Sequence, residues 1–137
     1  MKSGAEYLKS CGVRPSLQRL AIYKYVAEHP THPTADEIYE ALKDQIPTLS
    51  KTTVYNTMKL FVGSGVIDEV FIDRTSERFD ANTHLHAHFM CEECGAIYDS
   101  AVENTEIIAA SVPEGAELRR TQLLYYGTCV NCLKTKQ

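Results

Sequence analysis

The sequence predicts an α+β chain in two parts: a helical N-terminal half of winged helix-turn-helix form, then a small β-rich half held by a metal staple. Three observations carry this. Apolar residues recur at helical spacing, with cap signals, up to about residue 65. Beyond Gly65 the pattern turns to alternation and β-branched residues. Two tight cysteine pairs, Cys91-x2-Cys94 and Cys129-x2-Cys132, fall in the last third. The 137 residues suffice for one ordinary domain or two small ones.

The first helix is expected around residues 3–10, ending at Cys11-Gly12, where glycine takes the left-handed C-terminal position. A second starts with Pro15 in its first turn and runs to about Glu28, with Leu17, Leu20, Ala21, Tyr23, Val26 and Ala27 at helical spacing. Pro30 and Pro33 predict a stiff, extended link that carries His32. Thr34 caps a third helix, with Glu37 in the capping-box position and Ile38, Ala41 and Leu42 facing inward. Ser50 caps a fourth, Lys51 to about Val62, stopped by Gly63-Ser64-Gly65.

Val66–Ile72 and Glu77–Phe79 read as two strands joined by Asp73-Arg74-Thr75-Ser76, the wing. Further strands are expected near His88–Met90 and Ala96–Asp99, with a short helix around Val102–Ala110. A long strand, Glu117–Tyr126, should follow the turn Pro113-Glu114-Gly115. So small a second half buries little apolar surface, so it needs a metal, a partner subunit, or both.

Composition narrows the function classes. Hydrophobic residues make up 44% and charged residues 23%, as in soluble globular proteins. No apolar run approaches the ~20 residues of a bilayer span. The opening Met1-Lys2-Ser3-Gly4-Ala5-Glu6 lacks the apolar stretch of a signal peptide, so a cytoplasmic location is expected. The net charge of −4 opposes nucleic-acid binding until it is divided. Residues 1–65 carry 8 basic and 6 acidic side chains, whereas residues 66–137 carry 6 and 12. An anionic partner should therefore meet the first half.

The four paired cysteines can supply a tetrahedral set of thiolates, whose softness favours Zn2+ and which leaves no open position for catalysis. Two redox Cys-x2-Cys motifs are the alternative, but each would want a following helix of the thioredoxin type. Cys94-Gly95 runs into an expected strand, and Cys132 stands near the end of the sequence. Structural zinc is the reading.

A second set is richer in His and Asp. His86-x-His88 on a strand puts both imidazoles on one face, and His84 extends the series. Asp80 precedes it, Asp99 lies on the next strand, and His32 sits in the link. Imidazole and carboxylate together suit Fe2+, Mn2+ or Zn2+ rather than Ca2+ or Mg2+. A half-exposed polar strand face remains the plain alternative. On the fourth helix, Val54, Met58, Phe61 and Val62 should face the core. Thr52, Tyr55, Asn56 and Lys59 face outward, able to contact phosphates and base edges, with Arg14 and Arg19 nearby and Arg74 at the wing tip. A merely solvated face would look the same.

The segments His32-Pro33-Thr34-Ala35-Asp36-Glu37-Ile38-Tyr39, Thr53-Val54-Tyr55-Asn56, Arg78-Phe79-Asp80 and His86-x-His88-x2-Cys91-x2-Cys94-Gly95 together resemble the ferric uptake regulator family, in family order from about Tyr7 to Cys132. The resemblance implies a homodimeric, metal-responsive repressor. Its winged-helix DNA-binding domain would span residues 1–80, a hinge 81–85, and a small α/β dimerisation and metal-binding domain 86–137. Structural zinc, one per subunit, is implied on Cys91, Cys94, Cys129 and Cys132. Regulatory Fe2+ or Mn2+, one per subunit, is implied on His32, Asp80, His86, His88 and Asp99. The implied DNA contacts are Arg14, Arg19, Ser50, Lys51, Thr52, Thr53, Tyr55, Asn56, Lys59 and Arg74, on a pseudo-palindromic double-stranded operator.

Asp at positions 80 and 99, and the pair Tyr55-Asn56, resemble the peroxide-sensing branch of that family. The iron-uptake branch typically has Glu at both sites and Tyr-Arg. Thr121 stands where a further ligand histidine would be expected, so a second sensory site is not implied. Five protein ligands leave one octahedral position open to peroxide, and the resemblance implies that His32 and His86 are the histidines oxidised to 2-oxo-histidine. An iron or manganese uptake regulator is the alternative. A small non-haem iron enzyme is a distant one, since it would need a substrate pocket and usually a closed β-barrel. A zinc-stapled interaction module would leave His32 and the helix-turn-helix idle. Cys11 is expected as a small buried group, His29 as a helix-terminal cap, His84 as an exposed loop residue, and Tyr125-Tyr126 as packing for a dimer strand.

Overall fold

The structure, a computed structural model, describes residues 2–72 and 76–135. It divides into two compact units, Met1–Thr83 and His84–Gln137. Arg74, expected at the wing tip, lies outside the described residues, as do Asp73 and Thr75 of the same loop.

The first unit contains four helices, α1 (Gly4–Ser10), α2 (Leu17–Glu28), α3 (Ala35–Leu42) and α4 (Lys51–Gly63), and an antiparallel pair, β1 (Asp68–Val70) and β2 (Arg78–Asp80). Every helix starts on a hydroxyl cap: the side chains of Ser3, Ser16, Thr34 and Ser50 accept from the backbone N–H three residues on. The full reciprocal box sits at Ser3 and Glu6, which the sequence reading passed over. Ser16, not Pro15, opens α2, and Pro15 precedes the cap.

The core of this unit is Leu8, Ile22, Val26, Ile38, Val54, Met58 and Phe61, closed by Val66, Ile67 and Phe79. Three residues of the expected apolar stripes, among them Ala41 assigned inward, lie outside the core. Leu17 is 87% exposed, and Ala27 and Ala41 face solvent, whereas Ile22 is the buried residue of α2's middle turn. The strands are also shorter than expected, three residues each.

The link between α2 and α3 is not simply extended. His32 takes φ 58, a left-handed conformation that a non-glycine residue adopts only when its surroundings hold it there. Those surroundings are β2. Phe79 N–H donates to the Pro33 carbonyl at 3.1 Å, the Arg78 guanidinium donates to the His32 carbonyl at 3.1 Å, and Thr34 bridges Arg78. Pro33 disfavours the right-handed helical region for its predecessor, so the chain turns through the left-handed one.

The second unit is a three-stranded sheet in the order β4-β3-β5, from β3 (His86–Cys91), β4 (Ile97–Ala101) and β5 (Leu123–Gly127). The central β3 pairs antiparallel with β4 and parallel with β5. Two short helices accompany it, α5 (Glu106–Ala110) and α6 (Val130–Thr135). Residues 117–122, expected as strand, lie outside β5, and α5 starts later than expected. Helix α6 was not anticipated; six residues are too few for periodicity to show. Among the described residues, the buried hydrophobic side chains of this unit are Ala87, Cys91 and Cys129. A sheet with so little core needs cross-linking.

Candidate functional site

The four cysteines converge on one point. Cys91 ends β3, and a turn closed by Gly95 N–H on the Cys91 carbonyl brings Cys94 back beside it. Gly95 has φ 77, a conformation that suits glycine. Cys129 and Cys132 enter from the start of α6. The four sulfurs lie within 4.8 Å of one another, with Cys91 to Cys132 at 3.7 Å and Cys94 to Cys129 at 3.8 Å. Four thiolates about 2.3 Å from one tetrahedral zinc stand about 3.8 Å apart, so the set fits that ion.

Local hydrogen bonds set the thiol chemistry. The backbone N–H groups of Cys94 and Cys129 point at the Cys91 sulfur, at 3.5 and 3.3 Å, and lower its pKa to about 6. The Cys132 backbone N–H likewise lowers Cys129. Cys132 is pushed up to about 12, first by its hydrogen bond to Cys129 and then by burial. Tyr98, hydrogen-bonded to Cys129, closes this side of the set and is itself raised by that bond.

The His and Asp residues form one group in each unit. In the first, the link's attachment to β2 brings His32 Nε2 to 3.5 Å from Asp80 Oδ2, both side chains buried. Asp80 Oδ1 accepts from Asn82 N–H at 2.9 Å, which orients the carboxylate. In the second unit, strand alternation puts His86 and His88 side by side, ring centroids 4.4 Å apart. The register sets Asp99 opposite His88, with Oδ1 3.5 Å from His88 Nε2 and Oδ2 4.0 Å from His86 Nε2.

His86 Nδ1 donates to the His84 carbonyl at 2.7 Å, so the proton sits on Nδ1 and Nε2 is left with its lone pair. That Nε2 lies 3.0 Å from His88 Nε2. Two imidazole nitrogens, each about 2.1 Å from one cation and at right angles, stand about 3 Å apart. Two imidazoles and a carboxylate so disposed suit a first-row divalent metal. His84 contributes its carbonyl, with its side chain exposed.

On α4, Val54, Thr57, Met58 and Phe61 are buried while Thr52, Tyr55, Asn56 and Lys59 face solvent, the division expected of the helix except that Thr57 joins the buried face and Val62 is only half-buried. Thr53 and Asn56 line one groove with Arg14, Gln18 and Arg19. Arg19 donates to the Arg14 carbonyl at 2.8 Å, tying down the loop before α2. Ser50 caps α4, bonding both the Thr53 N–H and its hydroxyl. Lys51 lies over the Tyr39 ring, 5.8 Å from its centroid.

Sequence reasoning gave no role to three residues that act here. Arg78 clamps His32, Tyr98 bonds a cysteine of the sulfur set, and Asp36 accepts a hydrogen bond from Tyr55. None of the three partnerships could be read from spacing, because each joins residues far apart in the sequence.

Residues 10–126 match the sequence profile of the ferric uptake regulator family. The peroxide operon regulator of Bacillus subtilis (strain 168) is 40% identical over 137 residues, covering 98% of this chain and 94% of that protein. Among solved structures, PerR from Streptococcus pyogenes, studied for peroxide sensing and gene regulation, is 33% identical with a TM-score of 0.52, over 93% of this chain and 88% of that one. The Vibrio cholerae ferric uptake regulator is 27% identical with a TM-score of 0.71, over 93% and 100%.

Proposed function

The chain belongs to the ferric uptake regulator family, and we propose that it is a homodimeric, metal-dependent transcriptional repressor that releases DNA on exposure to peroxide. It is a regulator, not an enzyme, as are its relatives. The observation that carries the metal site is the convergence of His86 Nε2, His88 Nε2 and the Asp99 carboxylate on one face of the sheet. The names of the relatives at about 40% identity, with Asp at positions 80 and 99, favour peroxide as the signal.

In this reading the sulfur set holds structural zinc, and His32, Asp80, His86, His88 and Asp99 together hold one regulatory Fe2+ or Mn2+. The first two residues belong to the DNA-binding half and the last three to the zinc-stapled half. Metal occupancy and the DNA-binding form therefore stabilise each other, by linkage. Bound Fe2+ would supply the reductive cleavage of the O–O bond of hydrogen peroxide at the ligand sphere. One peroxide oxygen would enter a ring C–H bond of His32 or His86 and the other would leave as water, the two-electron oxidation of the ring matching the two-electron reduction of peroxide. The oxidised residue would cease to hold its place, and the DNA-binding form would be lost. The reaction happens once per subunit, without turnover.

Arg14, Arg19, Ser50, Lys51, Thr52, Thr53, Tyr55, Asn56 and Lys59 are the proposed DNA contacts among the described residues. A twofold dimer sets two α4 helices against a pseudo-palindromic operator. Its interface is assigned to the second unit, where Tyr125 and Tyr126 on β5 and Ile107 on α5 are half-exposed or more. Among the described residues no helix is long and apolar enough to cross a membrane, and the proposed location is the cytoplasm.

The test is intact-protein mass spectrometry with peptide mapping, on zinc-loaded protein given Fe2+ or Mn2+ and then a low dose of peroxide. One added oxygen atom on His32 or His86, dependent on iron, is the expected result. No added oxygen with iron, alongside intact metal-dependent DNA binding, would instead make it an iron or manganese uptake regulator.

A further inference from the structure

Asp36 occupies an unfavourable place for an anion. It lies in the first turn of α3, with an exposed side chain, beside the face of α4 that the preceding reading turns toward DNA. A carboxylate there repels phosphates and lowers affinity for any duplex. Glu77 lines the same cleft, next to Tyr55, and adds to the cost. Complementing the positive end of α3 would account for an acid in the first turn. It would not account for partners on a different helix, and Asp36 has two.

The Tyr55 hydroxyl donates to Asp36 Oδ1 at 3.0 Å, and Lys51 Nζ stands 4.0 Å from the same oxygen. Lys51 and Tyr55 are four residues apart on α4, hence neighbours on one face. A single carboxylate oxygen on α3 thus reaches the two longest side chains in that stretch of α4. Lys51 is further guided by the Tyr39 ring beneath its ammonium. Fixing the phenol oxygen restricts the Tyr55 ring, while the exposed Lys51 ammonium, 4.0 Å away, is only loosely held. The loss of entropy at Tyr55 is then met before DNA arrives rather than on binding.

We propose that Asp36 is a positioning residue for DNA readout, a strut from α3 that holds the Tyr55 phenol of α4 in its duplex-reading orientation. Overall attraction to DNA is sacrificed for discrimination between sequences. The proposal rests on the assignment of α4 as the reading helix, and its test separates the two.

Duplexes are first selected from a random library with wild-type, zinc-retaining, Mn2+-loaded protein. Fluorescence anisotropy then gives the ratio of affinities for the selected duplex and a shuffled one, for wild type, Asp36→Ala, Asp36→Asn, Tyr55→Phe and the Asp36→Ala/Tyr55→Phe double variant. Asp36→Ala should lower the ratio about tenfold, the scale of one base contact. Asp36→Asn, whose amide oxygen still accepts from Tyr55 while the charge is gone, should keep the wild-type ratio. Tyr55→Phe should fall with Asp36→Ala, and the double variant no further, because both remove one interaction. A wild-type ratio in Asp36→Ala, an equal fall in Asp36→Asn, or additive losses in the double variant would each overturn the strut. Failure of wild-type protein to select any duplex would overturn the DNA-reading assignment itself, and the strut with it.

Discussion

His88 stands directly opposite Asp99 on adjacent antiparallel strands, its Nε2 3.5 Å from the Asp99 carboxylate. Alternation along β3 brings His86 to the same face, and its bond to the His84 carbonyl turns Nε2 toward His88. Three donors are thus set by strand register and by one hydrogen bond to the backbone of the loop just before β3.

Removing one of these donors should abolish metal control without unfolding the chain. His86→Ala and Asp99→Ala, each with zinc retained, are expected to lose more than about 100-fold in Mn2+ affinity, since even outer-shell substitutions cost ~10–100-fold. Operator binding followed against Mn2+ concentration checks this. A variant that still responds to Mn2+ as wild type does would remove that residue from the ligand set.

Zinc uptake by the metal-free protein should release protons, and affinity should rise with pH across the neutral range. Cys91, lowered to about 6 by two backbone N–H donors, is already a thiolate at neutral pH and releases almost none. Cys132, at about 12, is still protonated there and must give up its proton to bind. Zinc titration in weakly buffered solution with a pH indicator measures the release. Cys132→Ser should reduce it more than Cys91→Ser does.

The second unit should depend on zinc for its fold. Its buried hydrophobic side chains among the described residues are few, and two of them are cysteines of the proposed zinc set. Treatment with a strong chelator is expected to melt this unit while leaving the helical signal of the first. Amide hydrogen exchange resolved by peptide would show protection lost in β3, β4 and β5 and kept in α2 and α4.

The first unit stands on its packing and its caps. Phe61→Ala empties the fully buried centre of α4's inner face and should cost about 3–5 kcal/mol. Ser50→Ala removes the α4 cap and should cost about 1 kcal/mol. Denaturant unfolding measures both. A Ser50→Ala protein with unchanged stability would argue that Ser50 serves DNA alone.

Much was legible because it is local. A hydroxyl three residues before a free N–H makes a cap wherever it occurs, so Thr34 and Ser50 could be read directly, although Ser3 was missed. Paired cysteines two residues apart announce a metal turn, and His-x-His on a strand must share a face. Burial was read less well. Leu17 and Ala41 fit a helical stripe but sit where no neighbour covers them, and spacing carries no information about neighbours.

By itself, then, the sequence determined the caps, the cysteine pairs, the alternation of His86 and His88, and the family. The tertiary structure alone decided which distant residues meet. His32 reaches Asp80 only because the link is pinned to β2 and forced through a left-handed turn. Cys132 reaches Cys91 only because β5 pairs parallel with β3 and delivers α6 to its end. Asp36 reaches Tyr55 only because α3 packs on α4. The physical reason is one of range: caps and turns are settled by hydrogen bonds within a few residues, whereas these meetings follow from burial and strand pairing between segments far apart in the chain.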